Sequence, residues 1–509
     1  MSKYSRRDFL KLLATLPVAY SLQKWLPDGI RHKKQSTAGK PNIILILFDT
    51  MSAYHLSLYG YHRKTTPNLE RFAQRANTYH AHYSEANFTV PGTSSILTGL
   101  HPWTHRALHL SGLVARDVVD HNIFKLIGEE YHRFAFSQNV MATNLLNQFR
   151  TEIDDLLPSS SFSEYSFLTS EFFNHSQNTA YQVNDHLMFD FIDPPASLLF
   201  GIAQRVYFEN LKKFKKDFPR GVPQPREYPI VYRLDHVFNG FMKNIDALAG
   251  PFFSYIHIFS PHAPYRARRD FIGIFEDGWM HLKKPEHVFT EGESYETIEK
   301  NRVWYDEYIA NVDFEFGRFL DHLEETGALE NSYLLVTSDH GELLERGVKG
   351  HVTPLLYEPL VRVPLLISSP GQTKGKAIHS PTSSVDLLPT VLSLTGQEVP
   401  AWVAGTLLPG LGGEENPERE IYMLEAKSNS AFSRLSHCTF AMRKGKYKMI
   451  LYRGYKVFGK DVFELYDLEN DPEEMNDLFL KEETLAGELS AELLKRFDGI
   501  NESPSKSLP

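Results

Sequence analysis

The sequence predicts an α/β fold: a large central, mostly parallel sheet flanked by helices, then a smaller C-terminal antiparallel sheet with one helix. Three observations carry that prediction. Apolar runs of strand length recur along the chain and end in polar residues able to bind ligands. Segments with apolar residues at helical spacing lie between them. After Gly396 the pattern shifts to alternating, turn-rich sequence.

The elements follow in order. Asn42-Ile43-Ile44-Leu45-Ile46-Leu47-Phe48 stops at Asp49-Thr50, as expected of a strand buried on both faces. Phe252 to Ile258 repeats the pattern and runs into Ser260-Pro261-His262. Tyr333 to Thr337 runs into Ser338-Asp339-His340, and Val363 to Ile367 into Ser368-Ser369-Pro370-Gly371. The spacing predicts a helix over Tyr305 to Thr326. Residues 136–246 show no clear period. Ser159-Ser160-Ser161 and Pro219 to Pro229 read as loop, so the segment reads as an elaboration at the rim of a site. Thr439 to Tyr452 alternates like a strand, Asp467 to Asp477 is acidic and turn-rich, and Leu485 to Phe497 reads as a helix. This gives a main domain over 37–395 and a C-terminal subdomain over 396–509.

At 509 residues and 42% apolar, the chain can bury a large core. A net charge of -9 argues against a nucleic-acid partner, which calls for a basic excess. The single cysteine, Cys438, excludes an intramolecular disulfide and a cysteine-based zinc site. At the N-terminus, Ser5-Arg6-Arg7-Asp8-Phe9-Leu10-Lys11 matches a twin-arginine export signal. The apolar stretch that follows, Leu12 to Leu22, is far shorter than the ~20 residues a bilayer span takes. Residues 1–36 are therefore read as a signal peptide and linker. The expectation is a prokaryotic protein handled by the twin-arginine translocase and found in the periplasm or outside the cell. Without a clear A-x-A cleavage site, an uncleaved signal would leave it tethered to the membrane.

In open α/β sheets, sites form beyond the carboxyl ends of strands. Asp49, His257, His262, Asp339 and His340 can therefore converge although they are far apart in sequence. Carboxylate oxygens with an imidazole suit one divalent cation such as Ca²⁺, Mg²⁺, Mn²⁺ or Zn²⁺. A hydroxyl beside such an ion becomes a usable nucleophile.

Several blocks together carry a family resemblance. They include Pro41 to Thr50, Tyr59-Gly60 and Thr66-Pro67-Asn68-Leu69. Thr89-Val90-Pro91-Gly92-Thr93, followed by Leu97-Thr98-Gly99, is similar to the family signature of Cys or Ser, any residue, Pro, Ser, Arg. Pro261-His262-Ala263-Pro264-Tyr265, Ser338 to Glu342, Gly350-His351, Leu356-Tyr357-Glu358 and Arg362-Val363-Pro364 match further blocks. Val385 to Thr390, Arg443 to Lys448, Glu464 to Leu468 and Asp471-Pro472-Glu473 complete the likeness. Together these blocks resemble the sulfatase family of the alkaline phosphatase superfamily, which implies an alkaline-phosphatase-like fold and an ester hydrolase. Asp49, Thr89, Asp339 and His340 would bind the metal, with Thr89 also the nucleophile. His262 and His351 would hold the anionic group or assist the leaving oxygen. His257 and Lys349 are further candidates for contact with the substrate. His257 reads equally as a hydrogen-bonded core histidine, and Lys349 as a solvated lysine.

Three departures matter. Thr50 stands where the family has a second aspartate, Thr93 where it has arginine, and Thr89 at the nucleophile position. Formylglycine arises from a primary Cβ, and the methyl-bearing Cβ of threonine cannot give it. The resemblance therefore points first to a phosphoesterase or phosphotransferase working through Thr89. The alternatives are a sulfatase without formylglycine and a weakly catalytic homologue that binds an anionic glycan. In each reading the partner is an anionic ester: a sulfated or phosphorylated glycan, lipid or small molecule.

Overall fold

The computed structural model describes residues 39–164, 202, 205–206, 209–225 and 230–502. The twin-arginine segment and its linker lie outside the described residues. An eight-stranded sheet forms the centre. Its strands are β1 (Asn42–Phe48), β2 (Asn77–Tyr79), β3 (His132–Ser137), β4 (Asp155–Leu157), β5 (Phe252–Ile258), β6 (Ser332–Ser338), β7 (Leu365–Ser368) and β8 (Lys376–Ile378). The spatial order is β8-β2-β7-β6-β1-β5-β3-β4. Only β7 runs against its neighbours among these strands, and the other pairings are parallel.

The central strand shows why its sequence is a continuous apolar run. Ile44, Ile46 and Phe48 enter one core, while Ile43, Leu45 and Leu47 enter the other. Alternate side chains point to opposite faces, so a strand covered on both sides has no polar face. Each such side chain, fully buried, contributes roughly 1.5–3 kcal/mol. One face is covered by α3 (Leu234–Ala247) and α4 (Tyr295–Glu325), through Phe238, Phe241, Phe316 and Phe319. The other is covered by α1 (Thr89–Thr98), α2 (Val140–Gln148) and α5 (Leu387–Leu394), through Ile96, Leu97, Leu145, Leu146 and Val391.

Two differences from the sequence reading have physical causes. Helix α4 begins at Tyr295, not Tyr305, with Ser294 capping it by accepting from the Thr297 N–H at 3.2 Å. Its early turns bury Glu299, Arg302 and Asp306, which interrupt the apolar spacing. Those charges are paired: Arg302 with Glu299 at 2.9 Å, and Asp306 with Arg63 at 2.8 Å. The second difference concerns 136–246. Its first part is no rim elaboration, because β3 extends the central sheet by parallel pairing with β5, and β4 extends it further by parallel pairing with β3.

The C-terminal sheet is an antiparallel meander of β9 (Ile421–Glu425), β10 (Cys438–Lys444), β11 (Tyr447–Arg453) and β12 (Val462–Asp467). Helix α6 (Glu483–Glu502) packs Leu489, Leu493 and Phe497 against Phe440, Met449 and Leu451. The sheet is joined to the rest by buried contacts. The Leu424 N–H donates to the Glu85 carbonyl at 2.8 Å. The fully buried Lys448 ammonium meets Glu358 at 3.1 Å and Glu474 at 2.9 Å.

Candidate active site

Neighbouring strands β6, β1, β5 and β3 deliver Asp339, Asp49, His257 and Asn139 at their carboxyl ends, in that spatial order. Asp49, His257 and Asp339 are wholly buried. His257 Nε2 lies 3.7 Å from Asp49 Oδ2 and 3.6 Å from Asp339 Oδ2. His340 Nε2 lies 3.5 Å from Asp49 Oδ1 and 3.6 Å from Asp339 Oδ2. The Nδ1–H of His340 donates to the Gly341 carbonyl at 2.9 Å. This fixes the tautomer, so Nε2 turns a lone pair toward both carboxylates.

Thr89 opens α1, whose N-terminus carries no side-chain cap. Uncapped N–H groups and the helix dipole make that end favourable to an anion. The Thr89 hydroxyl oxygen lies 3.3 Å from His340 Nε2 and accepts from the Asn139 amide at 3.2 Å. Gly92, one turn in, packs directly on the backbone of Asp339. Helix and metal-side loop are therefore in register by contact.

Asp49 Oδ1, His257 Nε2 and Asp339 Oδ2 are buried and have no hydrogen-bond partner among the described residues. One ligand atom from each lies within 4.8 Å of the others. Orphaned polar atoms of this kind are costly in an interior. Burial pushes both carboxyls up, Asp339 to about 7, and Asp49 is raised further by the charge of Asp339. Burial pushes His257 down to about 3, and His340 well below its ordinary value with help from His351. Two carboxylates that repel each other and the inward Nε2 lone pair of His340 fit a divalent cation.

His262 and His351 form the adjoining wall. Their rings lie 4.8 Å apart, and His351 is 4.5 Å from the His340 ring. The His351 Nδ1–H donates to the buried Glu342 carboxylate at 3.1 Å, and the His262 Nδ1–H to the Ala263 carbonyl at 2.7 Å. Each ring therefore keeps Nε2 for another partner. Burial and the neighbouring His351 push His262 down to about 4.

The structure thus brings together Asp49, Thr89, Asp339 and His340, with His262 and His351 beside them. His257, read from the sequence as a candidate for contact with the substrate or as a core histidine, has its Nε2 beside Asp49 and Asp339. Lys349 lies in a short strand, Val348–Gly350, and no hydrogen bond or ion pair among the described residues ties its side chain to the cluster. Sequence reasoning missed Asn139, which donates to Asp49 Oδ2 at 2.6 Å as well as to Thr89. It also gave Glu342 no role. The only signal for Asn139 was its type: asparagine directly before an apolar helical stretch is a strong N-cap.

The model of the sulfatase family matches residues 41–397. The chain belongs to the sulfatase family. It is an ester hydrolase of the alkaline phosphatase superfamily, whose family members use a divalent metal. A model described as N-sulphoglucosamine sulphohydrolase, C-terminal, matches residues 352–502. Choline-sulfatase of Rhizobium meliloti is 24% identical over 469 residues, covering 87% of this chain and 83% of the relative. The phosphonate monoester hydrolase SpPMH from Silicibacter pomeroyi superposes with a TM-score of 0.64 at 20% identity, over 90% of this chain and 95% of its own. BT4656, solved with its substrate D-glucosamine-2-N, 6-O-disulfate, gives 0.63 at 19% identity, over 92% and 99%.

Against the sulfatase pattern, Thr50 costs backbone strain as well as a carboxylate. It sits at φ 62°, the left-handed region that a β-branched residue rarely adopts. Its conformation is held at both ends. The Thr50 N–H donates to Asp339 Oδ1 at 3.4 Å, and its carbonyl accepts from the Tyr305 hydroxyl.

Proposed function

We propose that this sulfatase-family chain hydrolyses phosphate esters through Thr89, with sulfate esters as the second reading. One observation carries the proposal: the Thr89 hydroxyl opens an uncapped helix 3.3 Å from His340 Nε2, beside three orphaned ligand atoms. Asp49, His257, Asp339 and His340 would hold the divalent cation. When bound, it supplies positive charge that neutralises the oxygens of the ester and favours the ionised hydroxyl.

The residues do the rest. Thr89 Oγ1 forms a bond to phosphorus, and the ester P–O bond breaks with its electron pair leaving on oxygen. The hydroxyl proton of Thr89 would pass to the unprotonated Nε2 of His351 or His262, and that ring would return it to the leaving oxygen. Water then attacks phosphorus, the bond to Thr89 breaks, and Thr89 recovers a proton as phosphate departs. Threonine has no second hydroxyl on Cβ, so an aldehyde-hydrate route to expel sulfate is closed to it. The similarity to choline-sulfatase keeps sulfate esters as the alternative. An anionic glycan fits as the organic part, since BT4656 binds a sulfated glucosamine. The twin-arginine segment supports action outside the cytoplasmic membrane.

The test is a panel of aryl phosphate mono- and diesters and aryl sulfates, run with Mg²⁺, Mn²⁺, Ca²⁺ and Zn²⁺. It is paired with acid quenching and mass spectrometry of the Thr89 peptide. Phosphate turnover and a phospho-Thr89 peptide are expected, and Thr89→Ala should lose nearly all activity while keeping its fold. Near wild-type turnover by Thr89→Ala would end the nucleophile assignment. Faster turnover of sulfates than of phosphates would reverse the substrate preference.

A further inference from the structure

We infer that Asn139 is a positioning residue that couples the nucleophile to the metal-side carboxylate. The inference rests on the reading of Thr89 given above. Asn139 follows β3 and is nearly buried. Its amide nitrogen donates twice, to Asp49 Oδ2 at 2.6 Å and to Thr89 Oγ1 at 3.2 Å. An amide has two N–H donors, so both are committed to the site.

The handedness of the amide is fixed from the other side. Asn139 Oδ1 caps α2, accepting from the Met141 N–H at 2.9 Å and the Ala142 N–H at 3.4 Å. A flipped amide would set an oxygen against the Asp49 carboxylate and an NH₂ group against two backbone donors. The helix cap therefore decides which atom faces the chemistry. With Oδ2 held by Asn139, Asp49 keeps Oδ1 free, and Oδ1 is one of the three orphaned atoms that converge. With one N–H on Thr89, the nucleophile oxygen has a fixed neutral donor. The arginine of the family signature is replaced here by Thr93, so the motif itself brings no cation to the nucleophile.

The placement separates capping from positioning. Asn139→Ser and Asn139→Asp both keep a cap acceptor, which preserves most of the ~1 kcal/mol that an N-cap contributes. Both remove the two donors. Asn139→Asp also turns a carboxylate toward Asp49, so the two variants fail in different ways.

The experiment measures three quantities for the wild type, Asn139→Ser, Asn139→Asp and Thr89→Ala. These are Mn²⁺ affinity of the metal-free protein by calorimetry, kcat and KM for an aryl phosphate at saturating Mn²⁺, and the melting temperature. Asn139→Ser should bind Mn²⁺ about 10-fold more weakly, within the range expected for residues that orient a ligand. Its kcat should fall about 10- to 100-fold at saturating metal with KM little changed, because the donor to Thr89 is lost. Asn139→Asp should lower kcat at least as far, and both should melt close to the wild type. Wild-type Mn²⁺ affinity and kcat in Asn139→Ser would overturn the inference, as would a loss of activity that tracks a lowered melting temperature. If Thr89→Ala stays active while Asn139→Ser still weakens Mn²⁺ binding, the nucleophile reading fails and the hold on Asp49 stands.

Discussion

A methyl group on Gly92 would stand 2.4 Å from the backbone oxygen of Asp339. Real Cβ atoms do not approach a carbonyl so closely, and the obstacle is backbone that cannot rotate away. Gly92 is in the first turn of α1, three residues after Thr89, and Asp339 carries an orphaned ligand atom. This contact sets the distance between the first turn of α1, which Thr89 opens, and Asp339.

Gly92→Ala should therefore act on catalysis more than its size suggests. Overpacking of this kind costs typically 1–3 kcal/mol, which a chain of this size survives. A displacement of about 1 Å at the reacting atoms costs on the order of 100-fold in rate. The expected variant is folded by circular dichroism and impaired about 100-fold in kcat. Wild-type kcat in a folded Gly92→Ala would show that the contact does not set the geometry.

Metal removal should matter more as pH rises. In the metal-free protein, burial raises Asp339 to about 7 and Asp49 above its ordinary value. In the unfolded chain both carboxyls titrate near 3.8. Between those values the folded state holds the more protons, so stability falls with rising pH. The contribution is fully present below the unfolded carboxylate range and is lost as pH passes about 7. A bound cation removes that penalty by taking the place of the protons. The difference in melting temperature between Mn²⁺-loaded and EDTA-treated protein should widen from pH 5 to pH 8. A constant or shrinking difference would count against these carboxylates as the ligands.

Export is testable without reference to the site. Replacing Arg6 and Arg7 together by Lys should hold the protein in the cytoplasm of an expressing bacterium. Cell fractionation with an antibody against the C-terminal tail decides it. Normal export of the double variant would rule out the twin-arginine route.

Much of the fold was legible because it follows from local periodicity. Runs such as Ile43 to Phe48 and Leu334 to Val336 are apolar throughout because both faces of those strands are buried. Asp49, Asp339 and His340 could be marked because they stand within a few residues of the end of such a run. The antiparallel β7 could not be seen, since strand direction leaves no trace in a buried apolar run. The true start of α4 was hidden by Arg302 and Asp306, which look like surface residues until their buried partners are known.

The sequence by itself determined the α/β architecture, the family blocks and the presence of a threonine at position 89, because these depend on side-chain type and order along the chain. Only the tertiary structure decided that His257 points its Nε2 between Asp49 and Asp339, that Glu342 holds His351, and that Asn139 bridges Asp49 and Thr89. The physical reason is that these roles come from contacts across strands. His257 is an ordinary member of a buried strand, and Asn139 an ordinary helix cap, until strand order places β5 next to β1 and β3 next to β5. Distances between chain segments 50 or more residues apart are set by packing, and no local pattern encodes them.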